Sequence, residues 1–123
     1  MDFGANVTLT GGVCLQTKDT WKEFIEADDV AYGGKAAELY FEEDDFDRFL
    51  KKLGELQVNY VYTAREHSWG QRVVRIYDPD GHIIEVGENM KTVCRHFLES
   101  GMSPEQVAER MDVPVKFVKA CMR

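Results

Sequence analysis

The feature that most constrains this chain is the run QRVVRIYDPDGHIIEVG, residues 71–87, in which two segments with alternating apolar residues flank Asp78-Pro79-Asp80-Gly81. Proline fixes φ and glycine accepts the left-handed region, so the four residues make a turn and the flanks, 71–77 and 82–87, read as strands. Upstream, AELYFEE (37–43) is a strand with Leu39 and Phe41 on one side and Glu38, Tyr40 and Glu42 on the other. Asp44 or Asp45 then caps a helix whose Phe46, Phe49, Leu50 and Leu53 recur at i, i+3, i+4 and i+7, one apolar stripe. VNYVY (58–62) follows as a strand, and a polar loop through Glu66, His67 and Trp69-Gly70 leads back to residue 71. In order, residues 37–87 read βαβββ.

Both flanks differ from this unit. NVTLTGGVCLQT (6–17) reads as a tight hairpin about Gly11-Gly12, followed by a short helix, TWKEFI, capped by Asp19 or Thr20; residues 26–35 form a loop. The tail is helical throughout. Met90, Val93, Cys94, Phe97 and Leu98 form a stripe that Gly101 ends, Ser103-Pro104-Glu105-Gln106 is a capping box, and Val115, Val118 and Met122 give a third short stripe after a break at Asp112–Pro114. The expected organisation is α+β: residues 1–88 as one domain (1–35, then 36–88), and 89–123 as a three-helix appendage resembling a helix-turn-helix.

With 123 residues and 44% apolar content the chain supports one modest core. No run approaches the roughly 20 apolar residues of a membrane span, and the first residues lack a signal-peptide pattern, so the expected compartment is the cytoplasm. Cys14, Cys94 and Cys121 lie far apart in apolar patterns and read as three buried thiols. Residues 1–90 carry 18 acids and 9 bases, whereas 91–123 carry 4 acids and 6 bases. An acidic body repels nucleic acid, and the last helix offers Lys116, Lys119 and Arg123 but few side chains suited to base edges, so DNA is not an expected partner.

AELYFEEDDFDRFLKKL followed by WGQRVVRIYDPDGHIIEVGE resembles one module of the vicinal oxygen chelate superfamily, which contains glyoxalase I, extradiol dioxygenases and bleomycin- and fosfomycin-resistance proteins. The resemblance implies a βαβββ half-barrel. Family members pair two such modules around a divalent metal. On that template Glu85 falls at the last carboxylate ligand, Glu38 where a histidine is common, and Gln16 where the first module usually ends in a carboxylate. The chain begins at what looks like the third strand of a first module, so that module is expected to be partial, and a homodimer is expected to cover the edge left open.

Two classes of function follow. In one, Ni, Mn, Zn or Fe held by Gln16, Glu38 and Glu85 polarises a small oxygen-rich molecule, with Glu85 as base, as in lyase, isomerase or dioxygenase members. In the other, the protein binds its ligand without metal, through Tyr40, Trp69, His67 and an arginine, Arg72 or Arg75. Glu85 itself has two readings: a metal ligand, or a carboxylate paired with whichever arginine shares its face. That choice turns on the geometry at Gly81, since a one-residue slip flips every side chain. A third class has the helical tail engage a partner.

Overall fold

The computed structural model describes Asp2 and residues 4–123. The chain divides into two compact units, Met1–Tyr32 and Gly33–Arg123.

The first unit is the expected hairpin and helix. Strands β1 (Asn6–Thr8) and β2 (Cys14–Gln16) pair antiparallel, with Val7 opposite Leu15, and helix α1 spans Lys18–Phe24. The helix starts earlier than its expected caps. Thr17 is the residue before it, and Thr20, instead of capping, gives its hydroxyl to the Thr17 carbonyl at 3.1 Å. None of the described residues in this unit is buried, because about 30 residues cannot enclose a core. Cys14 is exposed, contrary to the buried thiol read from its apolar neighbours: two three-residue strands have no second layer to bury it.

The second unit carries β3 (Glu38–Glu43), α2 (Phe46–Gly54), β4 (Asn59–Glu66), β5 (Arg72–Tyr77) and β6 (Ile83–Glu88), then α3 (Met90–Glu99), α4 (Pro104–Met111) and α5 (Val115–Cys121). Its four-stranded sheet runs in the order β3-β6-β5-β4, with β3 parallel to β6 and the other pairs antiparallel. This is the predicted βαβββ unit. Asp45 caps α2 by accepting from the Arg48 amide at 3.2 Å. The helix lays Phe46, Phe49, Leu50 and Leu53 on Val74, Ile76, Ile84 and Val86, which alternate to one side of β5 and β6. At about 25 cal/mol per Å² of apolar surface removed from water, this layer stabilises the sheet.

The turn is built as its residues dictate. Asp78 Oδ1 accepts from the amides of Asp80 (2.9 Å) and His82 (2.8 Å), and Gly81 takes φ +86°. The resulting register sets Tyr77 opposite Ile83, Arg75 opposite Glu85 and Val73 opposite Gly87.

β4 runs four residues further than its apolar alternation indicated. Register shifts between Tyr60 and Tyr62 and between Tyr62 and Arg65 break the period of two, so Thr63–Glu66 pair with β5 without an alternating signature.

The tail has its own apolar cluster of Val93, Cys94, Val107, Ala108, Met111, Val118 and Cys121. Asn89 caps α3, Gly101 ends it at φ +96°, and the Ser103–Gln106 capping box is formed in both directions. The tail docks on the β4–β5 loop. The Phe97 ring covers Gly70, where any Cβ would collide with it, and the Arg110 guanidinium lies 5.1 Å from the Phe97 centroid while donating to the Ser68 carbonyl.

Candidate functional site

β5 alternates its side chains between the two faces of the sheet, and the two arginines part accordingly. Arg72 points to the α2 side. It bonds Asp47 at 2.8 Å and Glu88 at 2.7 Å, and lies 5.2 Å from the Phe46 ring centroid. Its hydrogen bond to Asp47 holds that carboxyl below the usual carboxylate range. Arg72 therefore clamps α2 to the sheet and does not share a face with Glu85.

Arg75 points the other way, into a row that crosses all four strands: Tyr40, Glu85, Arg75 and Tyr62. Glu85 is 6% exposed. A buried carboxylate needs a counter-charge or hydrogen bonds, and Arg75 Nη2 supplies both by direct contact. The same guanidinium donates from Nε to Glu38 at 2.9 Å and from Nη2 at 3.3 Å. Glu85 stands in the ion-paired arrangement, and the arginine that shares its face is Arg75. Beyond it, the Tyr62 ring has the Arg75 guanidinium 5.4 Å and the Arg65 guanidinium 3.6 Å from its centroid.

Tyr40 sits at the other end of the row. Its hydroxyl donates to Glu42 at 3.2 Å and accepts from Gln71 Nε2 at 2.9 Å. Burial, opposed by the Gln71 hydrogen bond and aided by the nearby Glu42, raises the phenol above its ordinary pKa.

Gln71 is the residue that sequence reasoning missed. It is 4% exposed, and it also donates to the Glu88 carbonyl at 2.8 Å and accepts from Trp69 Nε1 at 3.0 Å. Gly87 makes room for it, since a Cβ there would lie 2.7 Å from Gln71 Nε2. The available signal was phase: residues 71, 73 and 75 share one side of the strand. Trp69 in turn stacks on His67, with centroids 4.1 Å apart, so the loop histidine is held against an aromatic neighbour.

Gln16 belongs to the first unit. There it accepts from Asn6 at 2.7 Å and donates to the Thr20 hydroxyl at 2.5 Å. Glu38 and Glu85 lie together in the second unit, already engaged by Arg75. Both sets of donors are satisfied by protein groups, and the guanidinium stands where a shared cation between Glu38 and Glu85 would lie. The expected three-residue set does not fit a divalent metal as it stands.

A different group of metal-competent atoms occurs at the turn, where Asp78, Asp80 and His82 offer ligand atoms within 4.8 Å of one another. The turn's own hydrogen bonds account for it. Burial works against ionisation of Asp78, but bonds from the His82 amide and ring prevail and hold that carboxyl below its ordinary value.

The family profile described as a glyoxalase-like domain matches residues 1–91. Among solved structures, a protein of unknown function from Agrobacterium tumefaciens is 35% identical with a TM-score of 0.65, over 73% of this chain and 72% of that one. The hypothetical protein SA1046 from S. aureus is 12% identical at TM-score 0.54, over 68% and 67% of the two chains, a likeness of fold. A member of the glyoxalase/bleomycin resistance protein/dioxygenase superfamily from Sphaerobacter thermophilus is 26% identical at TM-score 0.47, over 68% and 65%. No curated protein matches the chain. With three quarters of its length under the glyoxalase-like profile and a βαβββ sheet to match, the chain belongs to the glyoxalase-like family of the vicinal oxygen chelate superfamily.

Proposed function

We propose that this protein binds a small, oxygen-rich molecule on the sheet face turned away from α2, through Tyr40, Arg75 and Glu38, with Trp69 and His67 at the end of the row. The observation that carries the proposal is the charged and aromatic row Tyr40–Glu85–Arg75–Tyr62. A sheet needs one apolar face to pack, and α2 supplies that packing here. Beside the buried Val73, the second face carries a buried ion pair and tyrosines, groups that stabilise less than an apolar layer would, and recognition accounts for them better. The row offers guanidinium and phenol donors and the carboxylate acceptor of Glu38, the complement of vicinal hydroxyl and carbonyl oxygens. Arg72, on the other face, is no part of this site. A second copy of the chain is part of the proposal. β3 lies at the sheet edge with Leu39 and Phe41 each 40% exposed, and burying them in a homodimer would remove that exposure.

The test is a thermal-shift screen of small vicinal diols, hydroxy ketones and dicarbonyls against metal-stripped protein. A hit is expected to weaken about tenfold in Tyr40→Phe, the effect of one lost hydrogen bond. A panel in which every hit binds Tyr40→Phe and Arg75→Gln as well as it binds the natural chain would overturn the proposal.

A further inference from the structure

We propose that the Arg75 guanidinium is a resident cation that takes the place of a divalent metal between Glu38 and Glu85, so that this member of the superfamily excludes metal from that site. The inference rests on the reading of the row as the binding site, and it goes further by assigning the site's positive charge to a side chain.

Three observations carry it. Arg75 lies directly across from Glu85 in the β5–β6 register and contacts it from Nη2. The same fork reaches Glu38 with Nε at 2.9 Å. The Glu85 side chain is only 8% exposed, against 23% for Arg75, so Glu85 reaches its counter-charge in the protein interior.

A divalent ion binds carboxylate oxygens at roughly 2.0–2.6 Å. To hold both glutamates it would have to occupy the volume of the guanidinium and sit against a like charge. A histidine or lysine in that position could shed its proton and give way. An arginine keeps its charge, so the exclusion holds across the working pH range. The planar fork also suits two carboxylates at once, as a point charge would not. Arg75 itself comes from a central strand of the sheet, where its partners across to β6 and β3 are the two carboxylates.

Calorimetric titration of metal-stripped protein with Mn²⁺, Ni²⁺ and Zn²⁺ reads this without any organic ligand, so its failure is separate from failure of the small-molecule proposal. The natural chain is expected to show no micromolar binding that Glu85→Gln removes. Arg75→Ala frees both carboxylates and is expected to bind at least one of the three ions about tenfold or more tighter than the natural chain, with the gain abolished by adding Glu85→Gln. Because Arg75→Ala leaves a buried carboxylate unpaired, Arg75→Gln, which keeps amide donors without the charge, is run beside it, with circular dichroism establishing the fold of each. Micromolar binding by the natural chain that Glu85→Gln removes overturns the proposal. So does a folded Arg75→Gln that binds metal no tighter than the natural chain.

Discussion

The two faces of the sheet obey the same alternation but put it to different uses. Towards α2, β5 and β6 present Val74, Ile76, Ile84 and Val86 to the helix, with Arg72 at the rim tied to Asp47 and Glu88. On the opposite face, the same strands present Arg75 and Glu85, the latter buried and dependent on one partner. The first arrangement stabilises by removing apolar surface from water. The second places charges where their desolvation offsets most of their attraction. In the proposed function that cost is offset by recognition, which is why the proposal rests on the second face.

The comparison breaks most visibly at the two arginines. Arg75→Met is expected to destabilise by about 3–5 kcal/mol, because Glu85 stays buried without its counter-charge. Arg72→Met is expected to cost about 1 kcal/mol, since its side chain is 37% exposed and Asp47, one of its two carboxylates, is open to water. Urea unfolding at constant slope measures both, and equal losses would erase the distinction between the faces.

A smaller effect is expected where Gln71 crosses the polar face. Gly87→Ala forces its Cβ against the Gln71 amide and the Tyr40 ring. The expected loss is about 1–3 kcal/mol from overpacking, with a change in Trp69 emission as its bond to Gln71 is disturbed. Trp21→Phe provides a background in which Trp69 is the sole tryptophan. Unchanged emission would mean that Gln71 does not position the Trp69 end of the row.

The smallest effect belongs to the tail, whose apolar cluster behaves like the α2 face. Burial, helped by contact with Cys121, pushes the Cys94 thiol up to about 11. An acid whose folded value is raised contributes stability that is fully present below its unfolded value and lost as pH rises towards the folded one. The natural chain should therefore lose about 1 kcal/mol more than Cys94→Ala between pH 8.5 and 9.5. Parallel stability curves for the two proteins over that interval would show that the fold does not shield the thiol.

Much of the fold was legible because its signals are local. The stripe Phe46–Leu53, the Asp78–Gly81 turn and the Ser103–Gln106 capping box each specify an element within a few residues, and the structure has all three. β4 was read short because bulges on an edge strand remove the alternation that marks a strand. Cys14 was misread because local apolarity says nothing about whether a second layer exists to cover it.

The candidate site was legible only in part. Glu38, Tyr40, Arg75 and Glu85, singled out in the sequence, share one face of the sheet, but a choice between Arg72 and Arg75 requires the register, which the conformation at Gly81 fixes in three dimensions. For Gln71 the sequence offered only its phase with Val73 and Arg75, which says which face it takes but not what it meets there. Its role appears only once Gly87 and Tyr40 are brought beside it.

The central claim is that Arg75 and Glu85 act as one unit, and a double-mutant cycle measures it most directly. Arg75→Met, Glu85→Gln and the double variant are compared with the natural chain by urea unfolding. The account predicts a coupling energy of about 2 kcal/mol or more, with the double variant more stable than Arg75→Met. Losses that add to within about 0.5 kcal/mol would contradict it, because two residues that add in this way do not depend on one another.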